Sequence, residues 1–248
     1  MIILKNDEQI KKMYLANQIV KNTLELVEKN IKPGVSTKFL DEIAEDYIRK
    51  QNAIPNFKNY EGYPASICAS INDVVVHGIP SEDIILKEGD IISIDCGALK
   101  SGYNGDAART FPVGKISKEK QKLIDVTREC FFKGIENTKI GDRLGDIGYK
   151  IQTHAESNGF SVVREMVGHG IGRDMHEDPE VPNYGRPNTG LIIQEGLTIA
   201  IEPMINMGKR GIYIDYDGWT CRTKDKSPSA HYENTVAFTK DGIKILSL

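Results

Sequence analysis

Apolar residues recur every three or four positions in the N-terminal part of the chain, the period of a helix with one buried face. One such stripe runs over residues 7–28, where Asp7 can cap the helix start. Pro33–Gly34 ends it, and a second stripe begins at Ser36 or Thr37. The pattern therefore predicts two consecutive helices.

The following segments carry the β-branched runs typical of strands. Residues 52–64 are rich in Asn, Pro, Gly and Tyr and predict a loop, whereas residues 66–76 predict a strand. Residues 91–94 are almost entirely isoleucine and predict a second, buried strand. The helix pair is thus followed by a β-rich region.

The hairpin after residue 91 places two carboxylates together. If it folds about Lys100–Ser101, Asp95 lies directly opposite Asp106, with Cβ atoms about 5 Å apart. Two bare carboxylates at that distance repel, unless a cation lies between them. Two metal ions about 3.5–4 Å apart, bridged by carboxylates, fit such a site. The hairpin alone leaves a second interpretation open, in which both aspartates are solvated at the surface.

The second half of the chain repeats the first with a shift of 107 residues. Lys32-x-Gly34 recurs as Lys139-x-Gly141, and the run 88–95 recurs as 195–202, which superposes Asp95 on Glu202. A helix is predicted over 118–135, matching the first helix. We interpret this as an internal duplication within one catalytic domain, residues 1–248, with halves at about 1–113 and 114–248.

The duplication predicts a second acidic pair. With a further 20 residues inserted, Asp106 corresponds to Glu233, so that Glu202 and Glu233 pair across a hairpin centred on Asp217–Gly218. Asp-Gly is favoured in a type I′ turn, whereas Pro203 predicts an irregular ladder. Antiparallel hairpins with helices on one face predict an α+β fold, with both halves facing one site.

Composition and charge exclude several other classes of protein. A chain of 248 residues with 40% hydrophobic and 27% charged residues is typical of a globular protein, and its net charge of −3 argues against DNA as a partner. No run approaches the roughly 18 apolar residues of a membrane helix, and the apolar start at residues 1–4 is too short a run to predict a signal peptide. Four scattered cysteines predict reduced thiols in a cytoplasmic protein: Cys68, Cys96, Cys130 and Cys221.

Three of the five histidines lie in Gly- or Pro-rich contexts, namely His77, His169 and His176. Taken singly, each is typical of a loop histidine. Combined with the paired carboxylates, they indicate a dinuclear metal site with one imidazole. Such a donor set suits Mn, Fe, Co or a catalytic Zn, and differs from structural zinc sites, which use cysteine. The predicted ligands are Asp95, Asp106, His169, Glu202 and Glu233.

Five motifs together resemble the type I methionine aminopeptidases: V-H-G-I-P, I-D-x10-D, G-H-G-I-G-R-x-x-H-E-x-P, I-E-P-M and H-Y-E-N-T. The resemblance extends from about Lys5 to the C-terminus. It implies the pita-bread fold, with helix pairs packed on a mainly antiparallel curved sheet. It also implies removal of the initiator methionine when the second residue is small. The short interval from Glu202 to Glu233 is similar to the bacterial-style form, not to type II.

The resemblance implies two divalent ions, of Co, Mn, Fe, Zn or Ni. Asp106 and Glu233 would bridge them, with Asp95 on one ion and His169 and Glu202 on the other. Related enzymes also often hold a monovalent cation. The resemblance places it near backbone carbonyls around Asn72, Val74 and Ser229.

The resemblance also assigns three catalytic residues. Glu202 would act as general base, His176 would hydrogen-bond the substrate carbonyl, and His77 would contact the scissile amide nitrogen. Aromatic walls with sulfur neighbours suit a methionine thioether. The implied substrate-binding residues are Phe57, Tyr60, Tyr63, Cys68, His77, Met175, His176 and Trp219.

This chain departs from the common family pattern near the predicted site. Asn59 and Glu61 stand where many members have Gly and His, and Met175 replaces an aromatic residue or Leu. His231 and Asn234 replace a common Gln and His, and His231 shares the strand face of the predicted ligand Glu233. These changes concern pocket shape and inhibitor preference.

A cluster of cationic side chains suggests a contact with the ribosome, because it would attract rRNA. A solvated charged loop is the simpler interpretation of that cluster. The cluster comprises Lys209, Arg210, Arg222, Lys224 and Lys226. We expect a monomer that binds N-terminal Met-peptides and nascent chains. The alternatives are an Xaa-Pro-type aminopeptidase of the same fold and a non-catalytic binding protein on that scaffold.

Overall fold

Two helix pairs flank the β-strands in the computed structural model, which describes all 248 residues. The first helix begins one residue after Asn6, whose side chain accepts a hydrogen bond from Gln9 N at 3.0 Å, while Gln9 Oε1 accepts one from Asn6 N at 2.9 Å. This capping box replaces the predicted Asp7 cap, since Asp7 already lies in the first turn. Ser36 caps the second helix as predicted. The helices are α1 (Asp7–Asn30), α2 (Thr37–Lys50), α3 (Lys118–Ile135) and α4 (Leu144–Ser157).

All strand pairs are antiparallel, as the hairpin pattern predicts. The predicted strand over 66–76 is two strands, because Asn72 adopts a left-handed φ of 51° and turns the chain. The strands are β1 (Ile54–Pro55), β2 (Ile67–Ile71), β3 (Val74–Val76), β4 (Ile91–Lys100), β5 (Tyr103–Pro112), β6 (Ser161–Val162), β7 (Gly168–Gly170), β8 (Glu177–Val181), β9 (Thr198–Ile201), β10 (Met204–Asn206), β11 (Ile212–Ile214), β12 (Cys221–Thr223), β13 (Ser229–His231), β14 (Asn234–Thr239) and β15 (Gly242–Ile245).

The strands form four sheets, one of which belongs entirely to the first half of the chain. That sheet has the order β1-β4-β2, with β5 also paired to β4. The largest sheet, β15-β14-β9-β7-β8, belongs to the second half. Two three-stranded sheets, β13-β10-β6 and β11-β12-β3, complete the fold.

The register of the β4–β5 hairpin differs from the prediction by two residues. The turn is Ser101–Gly102, both with positive φ, rather than Lys100–Ser101. Asp95 therefore pairs with Ala108, and Asp106 pairs with Gly97. A tight hairpin turn needs two left-handed residues, and Gly meets that requirement at no steric cost. Because the shift is even, Asp95 and Asp106 still share one face, as diagonal neighbours.

The register of the second hairpin is as predicted. Ile201 pairs with Asn234, Met204 with His231 and Ile212 with Thr223, all consistent with a centre at Asp217–Gly218. The predicted type I′ turn is wrong, however. Asp215 N donates to Thr220 O at 2.8 Å, which encloses a four-residue loop in which only Gly218 has positive φ.

Each half has its own apolar core. One cluster packs α1 and α2 against β2, β4 and β5, and the other packs α3 and α4 against strands of the second half. Equivalent hydrogen bonds recur at the 107-residue shift: Gly34 N donates to Leu86 O at 2.8 Å, and Gly141 N donates to Ile193 O at 2.9 Å. These matches support the internal duplication, which remains our proposal.

All four cysteines are buried, and none forms a disulfide. Among the helices, none combines the length and the apolar character that crossing a membrane would need.

Candidate metal centre and active site

A cavity of about 330 Å³ lies where the two halves meet. All residues predicted for the site line its wall. The predicted metal ligands on the wall are Asp95, Asp106, His169, Glu202 and Glu233. The predicted substrate-binding residues on it are Phe57, Tyr60, Tyr63, Cys68, His77, Met175, His176 and Trp219.

Strands or strand ends position every candidate ligand. Asp95 lies in β4 and Asp106 in β5, on one face of the first hairpin. His169 is the central residue of the short strand β7. Glu202 directly follows β9, and Glu233 directly precedes β14, which pairs with β9. The site therefore takes two acids from each half, as the duplication predicts.

His169 lies between acids of both halves. Its Nε2 atom is 3.8 Å from Asp106 Oδ2 and 3.7 Å from Glu202 Oε1. Its Nδ1 atom lies 2.9 Å from the carbonyl oxygen of Gly170. Because a carbonyl only accepts, Nδ1 carries the proton and Nε2 keeps a lone pair for a metal.

The backbone of Asp106 is fixed by side chains from two other elements. Its amide donates to Asn17 Oδ1 in α1 at 3.3 Å and to Thr235 Oγ1 in β14 at 3.2 Å. Thr235 Oγ1 in turn donates to the Asp106 carbonyl at 2.9 Å. The Thr235 hydroxyl thus connects β5, which carries Asp106, to β14, which directly follows Glu233.

Burial raises the pKa of each of the four acids, and repulsion by neighbouring carboxylates adds to the increase for Asp95, Asp106 and Glu233. Burial raises the pKa of Asp95 to about 7 and that of Glu202 to about 8. The pKa values of Asp106 and Glu233 lie well above their ordinary range, because both are buried and face other carboxylates. Burial lowers the pKa of His169 to about 3, which leaves its imidazole neutral.

The donor set fits a divalent metal. Asp95 Oδ1, Asp106 Oδ1 and Glu233 Oε1 are buried and have no hydrogen-bond partner. Buried carboxylate oxygens are normally partnered, and a bound cation would satisfy all three. Asp106, His169 and Glu233 also present ligand atoms within 4.8 Å of one another. Oxygen donors with imidazole suit Mn, Fe, Co or Zn.

Two further histidines lie beside this centre. The hydroxyl of Tyr60 lies 2.8 Å from His176 Nδ1, and the His176 ring packs edge-on against His169 with centroids 4.2 Å apart. His77 holds a left-handed φ of 59°, a sparsely populated conformation for a residue with a side chain. Burial lowers the pKa of His77 to about 4 and also lowers that of His176. Both are therefore neutral hydrogen-bonding groups at pH 7.

An apolar cluster forms one end of the cavity. Phe57, Tyr63, Cys68 and Met175 are its buried members at the cavity wall, and Trp219 packs against them. The Tyr63 and Trp219 rings meet edge to face, with centroids 5.1 Å apart. Burial raises the pKa of the Cys68 thiol well above its ordinary range, so the thiol is a packing group.

The cavity wall also contains residues that the sequence did not single out as site residues. Glu180 of β8 pairs directly with His169, but three-residue β7 gives no sequence signal for that register. Met204 lies in the I-E-P-M motif and could have been found there. The additional wall residues are Glu61, Val76, Met166, Val167, Gly168, Glu180 and Met204.

Comparisons with known proteins agree with this geometry. The profile of metallopeptidase family M24 matches residues 11–240. The methionine aminopeptidase of Clostridium acetobutylicum is 57% identical over 248 residues, which cover 100% of this chain and 99% of the relative. Methionine aminopeptidase 1 of Bacillus subtilis is 51% identical over 247 residues, which cover 100% of this chain and 99% of that relative. The crystal structure of the Rickettsia prowazekii enzyme, 44% identical, superposes with a TM-score of 0.98 over 100% of both chains.

The chain therefore belongs to metallopeptidase family M24, whose members are metal-dependent hydrolases of peptide bonds. Within that family it belongs to the type I methionine aminopeptidases, the branch that its motifs indicate. The pita-bread fold predicted from the sequence is confirmed.

Proposed function

We propose that this protein removes the N-terminal methionine from nascent proteins when the second residue is small. The observation that carries this function is one cavity that combines four acids and His169 with an apolar end of aromatic and sulfur-containing side chains. The acids provide a centre for peptide hydrolysis. The apolar end offers a methionine side chain a matching surface.

Five side chains would hold two divalent ions. Asp106 and Glu233 would bridge them, Asp95 would complete one ion, and His169 and Glu202 would complete the other. The chemistry that the bound ions supply is polarisation of the scissile carbonyl and activation of water. The donor chemistry of these ligands suits Co, Mn, Fe, Zn or Ni.

Three side chains would move or direct protons. Glu202 would take a proton from the attacking water. If the Tyr60 hydroxyl donates to His176 Nδ1, then Nε2 of His176 carries a proton and would donate it in a hydrogen bond to the carbonyl oxygen as charge develops there. His77 would contact the scissile nitrogen and assist departure of the amine.

A monovalent cation site near Asn72, Val74 and Ser229 is a further part of the proposal. Asn72 and Ser229 are adjacent in the structure, since Ser229 N donates to Asn72 O at 2.8 Å. Carbonyls brought together at this junction of β3 and β13 would suit a hard cation.

Contact with the ribosome is proposed through exposed cations of the second hairpin. Lys209, Arg210, Lys224 and Lys226 are exposed. Arg222 is held by ion pairs to Asp215 at 2.6 Å and to Asp73 at 3.1 Å, so it contributes less free charge than the sequence predicts. Reversing the four exposed charges should abolish ribosome binding, and added salt should weaken it. Unchanged binding after both would exclude this contact.

A cytoplasmic location follows from the proposed substrate.

Peptide cleavage tests the main proposal. Chelator-treated protein would receive Met-Ala-Ser or Ala-Pro-Ser peptides, with and without Mn, Fe or Co. We expect metal-dependent release of Met alone, and loss of that release in Glu202→Gln. Cleavage only before proline would instead indicate an Xaa-Pro-type aminopeptidase. No cleavage by folded protein with any of these metals would favour a non-catalytic binding protein.

A further inference from the structure

His231 lies at the metal centre, although it is not among the five predicted ligands. It ends β13 and precedes Glu233 by two residues, so both side chains leave the same face of the strand. Its side chain is only 1% exposed. Thr110 holds its backbone at both ends, since His231 N donates to Thr110 Oγ1 at 2.9 Å and that hydroxyl lies 2.8 Å from the His231 carbonyl.

The Nε2 atom of His231 is buried and has no hydrogen-bond partner. The acidic oxygens facing it are Glu202 Oε2 at 3.6 Å and Glu233 Oε2 at 4.0 Å. Both distances exceed the range of an N–H···O hydrogen bond, which is about 2.7–3.2 Å. A buried ring nitrogen that faces two carboxylates without a hydrogen-bond partner is a group that a shared cation would satisfy.

The spacing matches that of the predicted ligand His169. His169 Nε2 lies 3.7 Å from the other oxygen of Glu202, against 3.6 Å for His231. Two ligands about 2.1 Å from one ion at a tetrahedral angle lie about 3.4 Å apart. Glu202 thus presents one oxygen to each imidazole, and each of the two spacings suits an oxygen and a nitrogen that coordinate the same ion.

We propose that His231 Nε2 is a sixth metal ligand, which holds one ion together with Glu202 and Glu233. Asp106, His169 and Glu233 form a second triad of mutually close ligand atoms, and Glu233 is common to both. Glu202 would then contact both ions, through Oε1 on the side of His169 and through Oε2 on the side of His231, so that each ion carries one imidazole nitrogen. The inference rests on the proposed dinuclear centre.

An additional nitrogen donor changes which metals are favoured. Imidazole binds Zn, Co and Ni well, whereas Mn prefers carboxylate and water oxygens. The variant His231→Gln keeps a polar side chain of similar size without an imidazole. We expect this variant to bind Zn at least about tenfold more weakly, with a smaller change for Mn.

X-ray absorption of protein loaded with two equivalents of Zn tests the inference directly. Wild type should show about one histidine nitrogen per ion at about 2.0–2.1 Å, and His231→Gln about one for every two ions. The matched control is His154→Gln, which changes a histidine on α4 that contacts only Glu129 among charged groups, at 2.8 Å. The His154→Gln variant should leave the number of histidine nitrogens per Zn ion and the Zn affinity unchanged.

Different results would separate this inference from the proposed function. Two bound ions with one histidine nitrogen between them in wild type would overturn the His231 assignment and leave the five-ligand centre standing. An affinity loss in His231→Gln without a change in nitrogen count would mean that His231 only hydrogen-bonds a ligand, which also overturns it. Failure of folded wild type to bind two ions would reject the dinuclear centre itself, and the sixth ligand with it.

Discussion

Ala108 and Glu233 exchange backbone hydrogen bonds across the boundary between the two halves. Glu233 N donates to Ala108 O at 3.0 Å, and Ala108 N donates to Glu233 O at 3.4 Å. Ala108 lies two residues after Asp106 on β5. This pair therefore sets the spacing of the two proposed bridging carboxylates, one from each half.

Arg109 reinforces that boundary. Its guanidinium donates to the carbonyls of Glu233 and Ala108 and to Asn234 Oδ1 at 2.6 Å, and it stacks on the Tyr232 ring 4.2 Å away. We expect Arg109→Met to lower the free energy of unfolding by about 2–3 kcal/mol, because buried acceptors lose their donor. Urea unfolding measures this change, and Mn titration should show weaker binding in the variant.

Arg128→Met is the matched control for Arg109→Met. Its guanidinium stacks on Phe132 at 5.2 Å and makes no hydrogen bond to the ligand strands. It should leave Mn affinity unchanged. Equal Mn affinity in both variants would show that Arg109 has no influence on the position of Glu233.

His176 and Tyr60 should contribute unequally to turnover. We expect His176→Asn to lower kcat by about 10²–10³, because a donor to the developing charge is lost. Tyr60→Phe removes the hydroxyl that lies 2.8 Å from His176 Nδ1, and should cost about tenfold by leaving the ring free to rotate. Steady-state kinetics with a Met-Ala-Ser peptide measure both. A larger loss in Tyr60→Phe than in His176→Asn would contradict the assigned roles.

The stability of metal-free protein should fall as pH rises from about 5 to 8. Folding raises the pKa of Asp95 from 3.8 to about 7 and that of Glu202 from 4.5 to about 8. Between the unfolded and folded values, the folded state binds more protons than the unfolded chain, so the free energy of unfolding decreases with pH. Metal binding requires the deprotonated acids, so stabilisation by metal should increase over the same range.

Melting temperatures of chelator-treated and Mn-loaded protein across this range test the prediction. The two curves should diverge toward high pH. If the melting temperatures of the two samples changed in parallel with pH, metal binding would not depend on deprotonation of the four buried acids, and the prediction would be wrong.

Met175 should influence recognition of the methionine side chain more than turnover. It is buried in the apolar cluster at the cavity end. We expect Met175→Ala to lower kcat/KM for Met-peptides by at least about 10–200-fold, mainly through KM, because that range corresponds to one methylene contact in a pocket and this variant removes more. Met207→Ala, which changes a partly buried methionine that packs on the second-half core, is the control. An equal effect of the two variants would reject the assigned pocket.

The local sequence predicted the helices well because their signals are local. The three-to-four-residue spacing of apolar residues, together with the helix-breaking Pro33–Gly34, predicted the positions of α1 and α2. The same spacing predicted the first and last residues of α3. The 107-residue repeat also identified Glu202 and Glu233 as partners of Asp95 and Asp106, although they are far apart in the chain. Residue types at matching positions were sufficient for that inference.

Turn geometry was not decided by the sequence alone. Residues 100–102 allow two neighbouring turns, and only the folded hairpin shows that Ser101–Gly102 takes the left-handed pair. The register of the β4–β5 hairpin therefore differs from the predicted one by two residues. Asp95 and Asp106 nevertheless stay on one face of the hairpin, because side chains alternate with a period of two along a strand. Strand 66–76 likewise breaks at Asn72, whose left-handed φ is a conformation that asparagine tolerates but does not require.

The sequence by itself determined which chemical groups this protein carries and which of them belong together: four acids, His169 and an apolar pocket, all marked by motifs and by the repeat. Tertiary structure alone decided their spacing, and it brought His231 Nε2 to 3.6 Å from Glu202 without a hydrogen-bond partner. The physical reason is that residue type follows from local and repeated pattern. Distances across the centre depend instead on how two separately packed halves meet.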